Sequence, residues 1–473
     1  MMKNKYKKVI GLEIHVELNT ASKVFCRCSS AFGAQPNSQV CPTCLGLTGA
    51  LPVLNEKAVN LALKAALALN CKIDPCSKFD RKSYFYPDLP KGYQITQHYK
   101  PIAKDGYIEI ETEGEKKKIG IAQLHIEEDA ARQIHKDDHT LIDFNRAGVG
   151  LIEIVTKPQL ETAEEAKAFV LKIKKILQYL NISDCKMEEG SLRCDANISL
   201  KAENSHSLGT KTELKNLNSL KSLQKAIDYE AKRQEELLLS KMSVTQQTLK
   251  WDESRNKCVV MRTKKSAAGY RYFPEPNIPP LFINEEFIKQ VKATISNLPD
   301  DEKDRFIKLG LSSKDALVIS EIREVSNFFK ETIKYCDDIQ LVANWIKGEL
   351  FRHLSDKERI SEQLTPKDFA SLLNYVKRGD ITAQSAKKVL KQMLAQKKSP
   401  KVLIEELDLA QLSNHKTLNK LVEEVLNQNH NSVKDYYNGK DKALEYLVGQ
   451  AMKLSKGKAN PKTARLLILE KLQ

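Results

Sequence analysis

The stretch from Val9 to Leu18 is the sequence feature that most constrains the fold and the chemistry of this chain. Its residues alternate between apolar and polar, the pattern of a β-strand with one buried face. Glu13, His15 and Glu17 share the polar face, where side chains two residues apart are about 7 Å from one another. Carboxylates beside an imidazole are a ligand set for a hard divalent cation such as Mg²⁺. An ordinary solvent-facing strand would give the same alternation.

The charge balance points to a polyanionic partner. The 473-residue chain has 76 Lys and Arg residues against 61 Asp and Glu residues, a formal net charge of +15. Nucleic acid is the commonest partner of so basic a protein, although a generally lysine-rich proteome would produce the same excess. No apolar run approaches the ~20 residues of a membrane span. The lysine-rich N-terminus leads into the first strand without the apolar segment of a signal peptide, so we expect a cytoplasmic protein.

Four of the ten cysteines form two close pairs. One residue lies between Cys26 and Cys28, two lie between Cys41 and Cys44, and twelve lie between the two pairs. Two such pairs joined by a loop can surround a tetrahedral zinc ion, and four thiolates leave no open coordination position. We therefore predict a structural zinc site in an insert at residues 26–44. The other six cysteines are scattered, as expected of buried thiols.

The N-terminal part of the chain mixes strand patterns with a few helices, whereas the second half has helical periodicity. Thr162 and Glu165 form a capping box that predicts a helix over residues 163–180 of the N-terminal part. Four prolines between residues 272 and 280 end that part, and amphipathic helices follow. The clearest helix has Thr365 as its N-cap, proline at its first position and a glycine at its end.

Two further features lie near the C-terminus. The polar residues 427–431 resemble a hinge between helices, and Asn460 is a predicted N-cap for the last helix. The final 23 residues are strongly basic, and such a terminus suits a phosphate backbone, although solvated lysines are also common on small helices.

Several other polar segments occur where packing does not require them. The most concentrated is residues 125–129, where His125, Glu127 and Asp129 would share one face of a strand and Glu128 would lie on the other. Residues 79–92 mix cations with aromatic residues, which suits phosphate and base contacts. Each segment also fits a solvated loop or strand face. From the residues alone, a metal-dependent phosphoryl-transfer enzyme acting on nucleic acid is the leading interpretation of this α+β chain.

Seven segments together resemble one family, the B subunits of the glutamyl/aspartyl-tRNA amidotransferases. The segments are residues 11–18, 41–46, 81–95, 125–130, 143–148, 209–218 and 270–276. The resemblance covers the whole chain in order, and the C-terminal part is similar to the small YqeY proteins. It implies an α+β fold with a cradle-like mixed α/β catalytic domain at residues 1–290. An all-α helical domain at residues 295–405 and a YqeY-like, tRNA-binding helical tail at residues 406–473 would follow.

The family's chemistry is a carbon–nitrogen ligation with glutamine as amido donor. The resemblance implies that the chain holds misacylated Glu-tRNA(Gln) or Asp-tRNA(Asn) and phosphorylates the side-chain carboxylate with ATP and Mg²⁺. Ammonia from a separate amidase, the A subunit, then displaces the phosphate. A small C subunit holds the heterotrimer together, and the complex would work in the bacterial cytoplasm. The alternative is a tRNA-binding assembly subunit that has lost its kinase chemistry.

The resemblance also assigns roles to individual residues. It implies that Glu13, His15 and Glu128 surround the Mg²⁺ and that Lys82 lies near the reaction centre. Further candidates for the cofactor site are Asp195 and Glu213, and by charge alone Arg81, Arg146 and Lys215. Charge alone likewise predicts tRNA phosphate contacts from four lysines of the last hairpin, Lys453, Lys456, Lys458 and Lys462.

Overall fold

The computed structural model describes residues 6–205, 207–263, 269–295, 297–354, 356–409, 415–440, 442–455, 459 and 461–472. The chain divides into two compact units, Met1–Leu298 and Pro299–Gln473. The first unit combines β-sheets with helices and the second is helical, which confirms the predicted α+β class. Within the described residues, no helix combines the length and the apolar character that a membrane span requires.

The first unit is built around one large sheet. The strands of the whole unit are β1 Tyr6–Glu17, β2 Lys72–Ile73, β3 Cys76–Ser77, β4 Asp80–Ser83, β5 Tyr93–Thr96, β6 Ala103–Thr112, β7 Glu115–Glu128, β8 Arg132–His135, β9 Thr140–Asp143, β10 Gly150–Thr156, β11 Leu192–Ala202, β12 Thr212–Lys215, β13 Gln247–Asp252, β14 Lys257–Thr263, β15 Phe273–Pro274 and β16 Leu281–Phe282. The large sheet has nine strands in the order β14-β13-β12-β11-β1-β10-β7-β6-β2, with β1 at its centre. Its only parallel pair in the described residues is β12 with β13.

Helices cover the apolar face of this sheet. They are α1 Glu56–Ala68, α2 Ala163–Tyr179 and α3 Leu220–Leu239, with the shorter α4 Glu285–Ala293 packed against α1. Leu12 and Ile14 of β1 are buried in the same core as Phe169 of α2, so the alternation predicted for this strand is confirmed. The Thr162 hydroxyl accepts the N–H of Glu165 at 3.0 Å, as a capping box requires.

The capping box itself is only half formed. The Glu165 carboxylate accepts the N–H of Glu161 at 2.7 Å, and it also binds Lys117 at 3.0 Å. A salt bridge with a neighbouring strand therefore competes with the local capping contact that the sequence predicts.

The second unit contains helices with two separate cores. Its helices are α5 Pro299–Lys308, α6 Ser313–Ser320, α7 Arg323–Thr332, α8 Ile339–Trp345, α9 Phe351–His353, α10 Ile360–Gln363, α11 Pro366–Arg378, α12 Ala383–Gln396, α13 Pro400–Glu406, α14 His415–Gln428, α15 His430–Tyr437, α16 Lys442–Leu454 and α17 Pro461–Leu472, with a π-helical segment at Ile346–Leu350 and a 3₁₀ turn at Lys357–Arg359. One core lies within residues 306–404 and the other within residues 418–472.

Helix α11 begins and ends at the residues that the sequence predicts. Thr365 caps α11 by accepting the N–H of Asp368, and Gly379 ends the helix at φ +78°, a conformation that glycine adopts without strain. The predicted hinge segment contains the break between α14 and α15, which falls at Asn429. Asn460 lies outside the described residues.

Candidate functional site

The polar face of β1 continues across its neighbouring strands. His15 lies opposite Glu153 of β10, and Glu153 lies opposite His125 of β7. On the other side of β1, Glu13 lies opposite Asp195 of β11. Because directly opposed residues of antiparallel strands point to the same face, this register brings charged side chains of four strands onto one surface.

The first group on this surface is the histidine–glutamate cluster, made of His15, His125, Glu127 and Glu153. The Nε2 atom of His15 lies 3.4 Å from a carboxylate oxygen of Glu127 and 3.4 Å from one of Glu153. The Nε2 atom of His125 lies 3.1 Å from Glu153 and 3.7 Å from Glu127. The ligand atoms of His15, Glu127 and Glu153 all lie within 4.8 Å of one another, so these three residues could hold a metal ion.

The two glutamates control the charge of both imidazoles. Burial alone would lower the pKa of His125, but the charges and hydrogen bonds of Glu153 and Glu127 raise it to about 10. Burial also opposes the charged form of His15, and the hydrogen bond and charge of Glu153 outweigh that effect and raise its pKa. The cluster therefore stabilises positive charge at the same place where it could bind a cation.

The second group is the carboxylate cluster, made of Glu13, Asp195, Glu213 and Lys215. One oxygen from each carboxylate lies within 4.8 Å of the others. The Lys215 ammonium pairs with Asp195 and lies 3.3 Å from Glu213. Although burial opposes its charged form, Asp195 and Glu213 raise the pKa of Lys215. Because Glu13 and His15 are two residues apart on β1, the two clusters are neighbours on the surface.

Glu128 does not join either cluster. Its carboxylate pairs with Lys91 and accepts the N–H of Ile95 at 2.9 Å. The structure thus brings Glu13 and His15 into adjacent groups and places Glu127 beside His15. The signal for Glu127 is present in the sequence, since Glu127 shares the strand face of His125 and Glu128 does not.

Lys82 of β4 lies among aromatic rings close to the histidine–glutamate cluster. Its ammonium lies 5.0 Å from the ring centre of Tyr270 and 6.0 Å from that of Tyr84, distances at which a cation–π attraction operates. Burial opposes its charge, but the negative charges of Glu127 and Glu153 contribute to a raised pKa for Lys82. This residue therefore remains a cation at neutral pH.

The predicted arginine contacts are already paired with carboxylates. Arg81 donates two hydrogen bonds to the buried Glu275, at 2.6 and 3.0 Å. Arg146 lies 3.1 Å from the buried Asp129. A guanidinium held by two hydrogen bonds to a buried carboxylate favours a structural role for Arg81 over a phosphate contact.

The four cysteines of the predicted zinc insert come together. Their Sγ atoms all lie within 4.8 Å of one another. A tetrahedral zinc ion with bonds of about 2.3 Å needs sulfur–sulfur distances of roughly 3.8 Å, so the group could hold a metal ion of this kind. A hydrogen bond from Cys26 outweighs burial, and Lys23 contributes its charge, so that the pKa of Cys44 falls to about 4.

The lysines predicted to contact tRNA are only partly described. Lys453 is exposed in the last turn of α16, and Lys462 is exposed in the first turn of α17. Lys456 and Lys458 lie outside the described residues.

Comparison with known proteins identifies the family. Residues 8–289 match the GatB/GatE catalytic domain, and residues 327–472 match the GatB domain. The chain is 48% identical over 475 residues to the B subunit of the aspartyl/glutamyl-tRNA(Asn/Gln) amidotransferase of Carboxydothermus hydrogenoformans, with 99% of both chains covered. The proteins of the same name from Caldicellulosiruptor saccharolyticus and Shouchella clausii are each 48% identical, again with 99% of both chains covered. As the resemblance implied, the chain belongs to the GatB/GatE family and is similar throughout its length to amidotransferase B subunits.

Proposed function

We propose that this chain activates the side-chain carboxylate of a misacylated tRNA, as the B subunit of a glutamine-dependent carbon–nitrogen ligase. Its partners are the amidase (the A subunit), the small C subunit, and Glu-tRNA(Gln), Asp-tRNA(Asn) or both. Membership in the family implies the use of ATP and work in the cytoplasm, where aminoacyl-tRNA is made. The observation that carries the proposal is the pair of adjacent carboxylate-rich clusters on one sheet face, next to the Lys82 ammonium.

The reaction explains why phosphoryl transfer is needed. A carboxylate is a poor electrophile, because ammonia would have to expel an oxide ion from it. Transfer of the γ-phosphoryl group of ATP to a carboxylate oxygen gives an acyl phosphate and ADP. Ammonia then attacks the carbonyl carbon, phosphate leaves, and the side-chain amide remains. Phosphoryl transfer needs mainly in-line positioning and neutralisation of charge, which fixed charged side chains can provide.

The residues of both clusters fit a hard divalent cation. His15, Glu127 and Glu153 would hold one Mg²⁺, with the imidazole deprotonated when the cation binds, and Glu13, Asp195 and Glu213 would hold a second. Carboxylate oxygens, which make up most of both sets, are the ligands such a cation prefers. When bound, Mg²⁺ supplies charge neutralisation for the phosphates of ATP. We assign Glu128 the separate role of fixing the end of β7, on which Glu127 lies, through its contacts with Lys91 and Ile95.

Lys82 and Lys215 are the cations that this chain contributes itself. Lys82 can bind the substrate carboxylate or a phosphate oxygen, and the surrounding tyrosine rings limit the access of water to its ammonium. Lys215 balances part of the negative charge of the carboxylate cluster and would orient Asp195 and Glu213.

The cysteine group and the tail take supporting roles in this proposal. Zn²⁺ at Cys26, Cys28, Cys41 and Cys44 would hold the fold of the insert, because a four-thiolate site has no open position for chemistry. The catalytic cradle would span residues 1–290, the helical domain residues 295–405, and the tail from residue 406 would bind tRNA phosphates through Lys453, Lys456, Lys458 and Lys462.

The test is nucleotide turnover by the assembled heterotrimer with each mischarged tRNA. The heterotrimer should release ADP only when a mischarged tRNA is present, and hydroxylamine should trap the acyl phosphate as a hydroxamate. Glu13→Gln should lower both signals by about 10²–10³, the usual cost of lost stabilisation of developing charge, because it removes a ligand of the second Mg²⁺, while free glutaminase activity persists. Glu109→Gln is the matched control, because Glu109 is 57% exposed. An assembly subunit without kinase chemistry would give neither ADP nor hydroxamate.

A further inference from the structure

Lys23 is completely buried, which is rare for lysine. Its exposed fraction is 0%, and lysine is rarely fully buried unless it is paired. The ammonium lies 3.5 Å from the Sγ atom of Cys44 and donates a hydrogen bond to the carbonyl oxygen of Phe144 at 3.3 Å. In the part of the chain that the structure describes, no carboxylate oxygen lies within 4.0 Å of it. The sulfur of Cys44, as a thiolate, is therefore the anionic group in contact with this ammonium.

The negative charge of the metal-loaded cysteine group explains why a buried lysine lies beside it. Four thiolates around a divalent ion leave a net charge of −2, and such a charge is costly to hold in a half-buried place. The N–H of Cys41 donates to the Sγ atom of Cys44 at 3.2 Å, which offsets only a fraction of it. A buried ammonium carries a comparable cost when it is unpaired, so the two charges stabilise each other.

Backbone hydrogen bonds fix the position of Lys23 beside the cysteine insert. The N–H of Lys23 donates to the carbonyl oxygen of Cys28 at 2.9 Å, and the N–H of Val24 donates to that of Gly148 at 3.0 Å. Gly148 has φ +85°, and a Cβ atom there would lie 3.4 Å from Cβ of Cys44 and 3.5 Å from Cδ of Lys23. Glycine adopts this positive φ without strain, and here its backbone lies in contact distance of the lysine stem, between the cysteine insert and the loop that precedes β10.

We propose that Lys23 is the counter-cation of the metal site formed by Cys26, Cys28, Cys41 and Cys44. It is a positioning residue that raises the affinity of the thiolates for a divalent metal ion. Through Phe144 it also fastens the loaded insert to the loop that leads into the strand of Glu153. This inference rests on the proposed occupation of the cysteine group by Zn²⁺.

The experiment measures zinc affinity by competition with a chromogenic chelator on the full-length chain. Lys23→Met should weaken zinc binding by about 10–100-fold, the usual effect of removing a residue that supports metal ligands. Lys57→Met is the matched control, because Lys57 is exposed at the start of α1, and its affinity should equal that of the unmodified chain. Where the methionine variant is insoluble, Lys23→Gln replaces it with the same expected weakening.

A double-mutant cycle shows whether Lys23 acts through Cys44. In a Cys44→Ser background the added Lys23→Met change should weaken zinc affinity by less than it does in the unmodified chain, because the thiolate in contact with Lys23 is gone and the loaded site carries −1 instead of −2. Equal zinc affinity of the Lys23→Met variant and the unmodified chain would overturn the role of Lys23 and leave the zinc site intact. Failure of the unmodified chain to bind zinc at all would overturn both.

Discussion

Glu127 and Glu128 are adjacent on one strand and point to opposite sides, so they give a direct test of the proposed site. Glu127 belongs to the histidine–glutamate cluster, whereas Glu128 pairs with Lys91. We expect Glu127→Gln to lower carboxylate activation by about 10²–10³, since it removes a ligand of the Mg²⁺ that would neutralise the transferred charge. Its stability should change less than that of Glu128→Gln, because Glu153 still lies within 3.4 Å of both imidazoles and the repulsion between the two carboxylates is relieved.

Glu128→Gln should act on stability instead. The side chains of Glu128 and Lys91 are 3% and 11% exposed, and breaking a buried pair by removing one partner costs about 3–5 kcal/mol. The glutamine oxygen can still accept the N–H of Ile95, so we take the lower end, about 3 kcal/mol. At ~2–4 °C for each kcal/mol, the melting temperature should fall by roughly 6–12 °C.

The assays are calorimetry of each variant chain and hydroxamate trapping with the assembled heterotrimer, at a temperature where both variants are folded. The Glu128→Gln variant should then keep most of its rate per folded molecule. The assignment of Glu127 to the site and of Glu128 to stability is refuted if Glu128→Gln abolishes activation at an unchanged melting temperature while Glu127→Gln stays active.

Three further perturbations test other parts of the molecule. Cys41→Ser should lower the zinc content measured by elemental analysis, and the melting temperature should fall before activity does, because the site is closed. Truncation after residue 405 should leave a folded catalytic part but raise the apparent dissociation constant for tRNA. The salt dependence of that constant should also flatten, because each lost phosphate contact from residues such as Lys453 or Lys462 removes about 0.7–0.9 from the slope of log binding constant against log salt concentration. Equal salt slopes would contradict a tRNA-binding tail. The pKa of His125 is about 10 in the folded chain against 6.5 for a free histidine, so with divalent cations chelated its protonation stabilises the fold. This contribution is fully present below pH 6.5 and is lost as the pH rises toward 10. His125→Gln should remove that pH dependence in denaturant titrations.

Local patterns carried most of the fold prediction. The alternation of β1 and the Thr365 cap of α11 depend on neighbours within a few residues, and both are confirmed. The incomplete capping box at Glu165 marks the limit of such patterns, because a strand distant in sequence supplies Lys117. Tertiary contacts compete with local ones, and the sequence alone does not rank them.

The candidate site was harder to predict than the fold for the same reason. Its grouping depends on strand register, which opposes Glu153 to both His15 and His125 across three strands. Glu153 lies in a segment that has the pattern of an ordinary buried strand, so no local signal marks it. Lys23 is a similar case, because nothing in the sequence distinguishes a buried lysine from a solvated one.

The charge of the site connects cation binding to nucleotide binding. Five carboxylates meet on one sheet face, those of Glu13, Glu127, Glu153, Asp195 and Glu213. The ammonium groups of Lys82 and Lys215 and the imidazoles of His15 and His125 offset at most four of these five negative charges. Although the whole chain has a net charge of +15, this face therefore needs bound cations to favour a polyphosphate. The affinity for ATP should therefore depend steeply on the concentration of divalent cation, and by reciprocity ATP should tighten the binding of that cation. Calorimetric titration of the heterotrimer with ATP at several Mg²⁺ concentrations measures this linkage, and an ATP affinity independent of Mg²⁺ would show that the nucleotide phosphates bind away from this face.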